Sequence, residues 1–161
     1  MESAKVKELM EKAVKYVLWA VEEKQLGDSI GSKEVDIEEK TAEDYAKSRE
    51  VLEVVDEPVE IEGKKGTFYV GIVKWTLGKD YQEASYDVVI LKKSKKRIEK
   101  AYVSGHYSGH YFMAYQDKGI RTDVWLWEID LKKMKIRQLD RDITKEIKKD
   151  DYQRINEALK G

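Results

Sequence analysis

Both histidines of the chain stand in one tandem repeat, Ser104-Gly105-His106-Tyr107 followed directly by Ser108-Gly109-His110-Tyr111. Imidazoles titrate near neutral pH, and here they alternate with hydroxyls and flexible glycines, so acid–base chemistry is first expected at this repeat. Asp87, Asp123 and Glu128 fall on neighbouring predicted strands and could orient such a base. On that view the protein is a hydrolase-type enzyme working through His106 and His110 in a pocket of its sheet. Metal binding suits the repeat poorly. Two histidines four apart share one face of a helix, but Gly105, Gly109 and the run Tyr111–Tyr115 argue for extended chain. In a strand they would lie ~13 Å apart at ~3.3 Å per residue. A zinc ion needs both nitrogens within about 2.1 Å, which only a tight turn at Ser108-Gly109 would allow. Ser104 and Ser108 lack the strained G-x-S-x-G elbow of a nucleophile. The stretch Gly27–Lys33 follows a helix rather than a strand and is one residue short of a phosphate loop. We therefore expect neither a metal nor a cofactor. The competing view of His106 and His110 is that they are half-buried sheet residues, with glycines admitting neighbouring aromatic rings.

Whatever the repeat does, other elements must position it. Apolar residues Val6, Leu9, Met10, Ala13, Val14, Val17 and Val21 recur at three- and four-residue steps and predict a helix over 1–26, stopped by Gly27. Thr41 with Asp44 three residues on predicts the N-cap of a second helix to about Arg49, burying Ala42, Tyr45 and Ala46. Between them, Val35–Ile37 is at most a short extended piece. From Leu52 the period switches to two, predicting strands at 52–61, 67–77, 82–91, 97–104, 109–116, 120–129 and 134–139. Short Gly- and Lys-rich connections make sequential neighbours antiparallel. Pro58, the sole proline, assigns the first of these strands to an edge. A C-terminal helix is predicted over 143–160, with Ile143, Ile147, Ile155 and Leu159 inward.

The expected fold is thus α+β: two N-terminal helices, an antiparallel meander of six to seven strands (a curved sheet or a partly closed barrel), and a C-terminal helix. Cystatin-like and nuclear-transport-factor-like topologies fit that order as architectural analogies only. With 161 residues and no internal linker, one domain is expected, helical over 1–50, a sheet over 51–140 and helical again over 141–161.

Composition narrows the habitat. The chain has no cysteine, which excludes disulfides and thiolate chemistry, and no apolar run long enough to span a bilayer. Twenty-five lysines against a single asparagine, Asn156, suggest a heat-adapted source. A cytoplasmic protein without a membrane partner is the expectation.

Charge is unevenly placed. Residues 22–62 carry a net −10 and residues 63–161 a net +8. In an up-and-down meander alternate turns fall at one end of the sheet, gathering Lys64, Lys65, Lys92, Lys93, Lys95, Lys96 and Arg97. If the histidine repeat is a turn, Lys118 and Arg121 join them. If it belongs to one long bent strand, Lys132 and Lys133 do. Such an end attracts polyanions, although lysines at hairpin tips also keep sheet edges soluble. Period-two aromatics such as Trp125 and Trp127, or Tyr69 and Trp75, are core residues first and base-stacking candidates second. The function we expect is a non-catalytic binding module that engages nucleic acid or a protein partner through the basic end of its sheet. The hydrolase is the alternative, and a third option makes the acidic segment itself an interface that imitates nucleic acid.

Overall fold

The computed structural model describes residues 3–24, 34–47, 52–63, 66–76, 84–104 and 126–139. Helix α1 (Ser3–Glu23) is followed by strand β1 (Glu34–Asp36) and helix α2 (Glu39–Lys47). Then come β2 (Leu52–Gly63), β3 (Gly66–Thr76), β4 (Ala84–Ser94), β5 (Arg97–Ser104), β6 (Leu126–Asp130) and β7 (Lys135–Leu139). All seven strands form one antiparallel sheet, in the order β1-β7-β6-β5-β4-β3-β2. The class is α+β, as expected, and the sheet stays open, with β1 and β2 at its two edges. The C-terminal helix, the histidine repeat and the strand expected at 109–116 lie outside the described residues. β5 pairs with β4 on one side and directly with β6 on the other, so β5 and β6 are neighbours in the sheet.

One detail differs from the sequence reading. Helix α2 begins at Glu39, with the Glu38 carbonyl accepting the Ala42 amide at 2.8 Å, so Thr41 lies within the first turn rather than capping it. The acidic Glu39 in that turn suits the positive end of the helix dipole. The short extended piece expected at Val35–Ile37 is strand β1, and the structure adds its partner. β1 pairs Glu34–Asp36 with Arg137–Lys135, and the Ile37 amide donates to the Met134 carbonyl at 2.9 Å. That pairing joins residues a hundred positions apart, which no local pattern announces.

The core forms where α1 lies on the sheet. Val6, Met10, Val14, Val17 and Trp19 of α1 pack with Tyr69, Val73, Val89, Leu91, Val103, Trp127, Ile129 and Ile136. Tyr69 and Trp127 are therefore core aromatics. α2 packs on α1, burying Ala42. It is tied there by hydrogen bonds from the Tyr45 hydroxyl to Glu22 and from the Tyr16 hydroxyl to Glu39 at 3.3 Å. Burial, and then the Glu39 carboxylate, push the Tyr16 phenol far above its ordinary range, so it remains a donor. The opposite face of the sheet holds a second buried set that includes Phe68, Val70, Ile90 and Tyr102. Burial on both faces explains why Val88–Leu91 and Ala101–Val103 read as unbroken apolar runs instead of alternating ones.

β2 is the edge strand that Pro58 implied, and Asp56, Glu57 and Pro58 bulge out of register opposite Gly71 alone. Met10 of α1 packs directly against Gly71. A Cβ there would meet the Met10 Sδ at 2.8 Å and its Cε at 3.2 Å. Gly71→Ala should cost about 1–3 kcal/mol by overpacking. Met10→Ala in the same chain should recover part of that loss, because the methyl then fills the space the thioether leaves. A chemical-denaturation cycle that returns additive losses would show that the helix does not seat on Gly71.

Candidate functional site

The topology decides which turns meet. The β2–β3, β4–β5 and β6–β7 connections all lie at one end of the sheet, since each joins sequential antiparallel neighbours in the same sense. The start of β3 is held against β4 there. A Cβ on Gly66 would stand 2.3 Å from the Lys93 carbonyl oxygen, a backbone clash that only glycine avoids. This end therefore carries Lys92, Lys93, Lys95, Lys96 and Arg97 from the β4–β5 hairpin, joined by Lys132 and Lys133 from the β6–β7 turn. Lys64 and Lys65, in the β2–β3 connection, lie outside the described residues. Direct β5–β6 pairing brings Lys132 and Lys133 to the tips; Lys118 and Arg121, the other set, lie outside the described residues.

Five of these side chains are turned outward. Lys95, Lys96, Arg97, Lys132 and Lys133 are exposed, and none of the seven cations from Lys92 to Lys133 just named forms an ion pair among the described residues. Lys95 is held in the left-handed region at φ 58, where glycine or asparagine is the ordinary choice. Lys95→Gly should therefore raise the stability of the fold by about 1 kcal/mol. A melt showing no gain would mean that the lysine stem contributes packing that offsets the strain.

The β6–β7 turn is built by Asp130. Its Oδ1 accepts the amides of Lys132 and Lys133, each at 3.0 Å, which holds those two lysines in place. Partial burial works to raise the Asp130 carboxyl, but the two amides and the nearby Lys133 and Lys100 outweigh it and hold the group below its usual range. The stability it contributes is thus present above the ordinary aspartate value of about 3.9 and is lost as pH falls below that. Asp130→Ala should cost about 1 kcal/mol at neutral pH, in line with other lost side-chain caps. The variant should also show a weaker acid dependence; an unchanged acid limb in the denaturation profile would remove Asp130 from this role.

Beside the turn, on the face turned away from α1, Glu128 is paired across the sheet with Tyr102 and Arg137. Its Oε1 accepts the Arg137 Nε at 3.0 Å, and Lys100 Nζ lies 3.6 Å from its Oε2. On the outer side of β7, Lys135 donates to Glu34 at 3.0 Å and reaches Asp36 at 3.7 Å. The hydrogen bond to Glu34 raises the Lys135 ammonium and keeps it charged. Through Lys135, β1 of the acidic segment is tied by ion pairs to β7 of the basic one.

The enzyme reading finds its partners divided. Asp87 is fully buried and pairs across the sheet with Val73 on the face covered by α1, whereas Glu128 is on the other face. The two carboxylates cannot serve one site. His106, His110 and Asp123 lie outside the described residues. No group of three or more His, Cys, Asp or Glu side chains capable of holding a metal is found among the described residues, and no described helix is long and apolar enough to cross a membrane. What sequence reasoning missed is the Lys100–Glu128–Arg137 group, whose members sit on three strands. Its only local signal is a carboxylate inside the apolar run Trp125–Ile129.

Comparison with protein-family models, with curated proteins and with solved structures returns no match.

Proposed function

We propose that the protein is a non-catalytic binding module whose basic sheet end engages nucleic acid. The observation that carries this is the convergence of two hairpin turns whose lysines are exposed and form no ion pair among the described residues. One of these lysines occupies a backbone conformation that glycine would fill at less cost. A tip evolved only for solubility gains nothing from that choice, while a tip that needs a cation there does. Lysines at turn ends contact phosphates as point charges, which positions a strand without reading its sequence. The binding should therefore be strongly salt-dependent and weakly sequence-dependent, because each phosphate neutralised releases counterion.

Fluorescence anisotropy with labelled single- and double-stranded oligonucleotides, titrated from low to physiological salt, tests this. Affinity in the micromolar range or tighter at low salt, falling steeply with added sodium chloride, is expected. Absence of salt-sensitive binding would overturn the nucleic-acid assignment and turn the same surface toward an acidic protein partner. A hydrolase using His106 and His110 is the second reading; Asp87 and Glu128, on opposite faces of the sheet, are the described carboxylates that could orient its base.

A further inference from the structure

We propose that a polar pocket next to the tips holds a single nucleotide whose base carries an exocyclic amino group, either free or as one unit of a single strand. The inference rests on the nucleic-acid reading above and adds a base preference to it. The cavity measures about 270 Å³ and lies over β5, β6 and β7 on the face turned away from α1. That is near the lower end of small-ligand sites, room for one compact ligand. Lys100, Lys133, Lys135 and Arg137 surround it, with Glu128 and Asp130 among the lining carboxylates.

The carboxylates differ in what they have left to offer. Glu34 is engaged by Lys135, and the Oδ1 of Asp130 by the amides of its own turn. Glu128, with a side chain only 6% exposed, gives Oε1 to Arg137. Its Oε2 accepts no hydrogen bond among the described residues, and the Lys100 ammonium at 3.6 Å is beyond hydrogen-bond reach. A sheltered carboxylate oxygen in that condition is a strong acceptor, because no water competes for it. Lys100 is a third exposed on a flexible stem, so an incoming amino group can take its place beside Oε2 while the ammonium swings toward the rim. There it joins Lys133, which has no ion-pair partner among the described residues, to meet a phosphate.

One available oxygen accepts one donor. The N4 amine of cytosine or the N6 amine of adenine supplies it, whereas uracil or thymine in the same pose places the O4 acceptor against the carboxylate and must turn to offer N3–H instead. The pocket therefore selects amino-bearing bases.

Calorimetric titration of the full chain at low salt with CMP and UMP, and with ten-residue oligo(C) and oligo(U), tests the preference. Inorganic phosphate serves as the reference ligand. Cytosine should be bound at least tenfold more tightly than uracil, as expected for one hydrogen bond to a charged group. A ratio present with the mononucleotides assigns the pocket to free nucleotides, and a ratio confined to the decamers assigns it to a strand. Glu128→Gln should abolish the ratio, since an amide can also donate to O4. Lys133→Ala, on the exposed turn, should weaken cytosine and uracil ligands alike and leave the ratio intact. The ratio is first read on the unaltered chain, so the outcome does not depend on a buried substitution folding. Equal binding of cytosine and uracil in both formats overturns the pocket. If that occurs while both decamers still bind in a salt-sensitive way, the basic end survives it. A mononucleotide ratio without decamer binding would instead remove the polyanion reading and leave the pocket standing.

Discussion

Neutralising Lys95, Lys96, Arg97 and Lys132 together to alanine is expected to lower affinity for a single strand at low salt by at least about a hundredfold. Each phosphate that is no longer neutralised should reduce the slope of log affinity against log salt by about 0.7, so four of them make the slope shallower by roughly 3. The four side chains are exposed and form no ion pair among the described residues. The melting temperature should accordingly stay within a few degrees of the parent's. This separation of binding from stability is the informative part. A variant that keeps both affinity and slope would show that the tips are only a solvated edge, and nucleic acid would then have to be sought elsewhere or abandoned.

The second large effect lies far from the tips. Trp19 is 1% exposed and anchors the C-terminal half of α1 in the shared core, with the Lys24 ammonium 5.7 Å from its ring centroid. Trp19→Ala should cost about 3–5 kcal/mol through lost transfer energy and the cavity left behind. In a chain of this size that corresponds to a melting point lower by roughly 6–20 °C. Trp19→Phe should recover much of the loss by filling part of the same volume. A small effect of the alanine variant, read by calorimetry, would mean that the helix is seated by its N-terminal half alone, through Met10 and Gly71.

These two predictions divide the molecule into a helix-covered core and a charged end, and the parts were unequally visible in the sequence. The stripe from Val6 to Val21 specified α1, because three- and four-residue spacing puts all its members on one face. The turn residues between Gly63 and Gly66 and around Lys95 specified antiparallel hairpins, because short connections permit nothing else. Pro58 marked its own edge, since a residue without an amide proton cannot serve a central ladder. The clustering of Lys92 to Arg97 with other turns followed from meander geometry alone. All of these are local statements: periodicity, turn length and the chemistry of one residue settle them before any distant contact forms.

Only the tertiary structure decided the remainder. That Glu34–Asp36 completes the sheet against Lys135–Arg137 depends on closing a loop of about a hundred residues, and nothing at either end signals the other. That Lys132 and Lys133 join the basic end depends on β5 pairing directly with β6. The faces were also undetermined. A strand buried on both sides loses the alternation that would tell inward from outward, so Asp87 and Glu128 looked interchangeable as partners for a histidine until the register placed them on opposite faces. The Lys100–Glu128–Arg137 group has the same origin. Its residues come from three strands, and cross-strand register is a long-range property that a linear pattern does not encode.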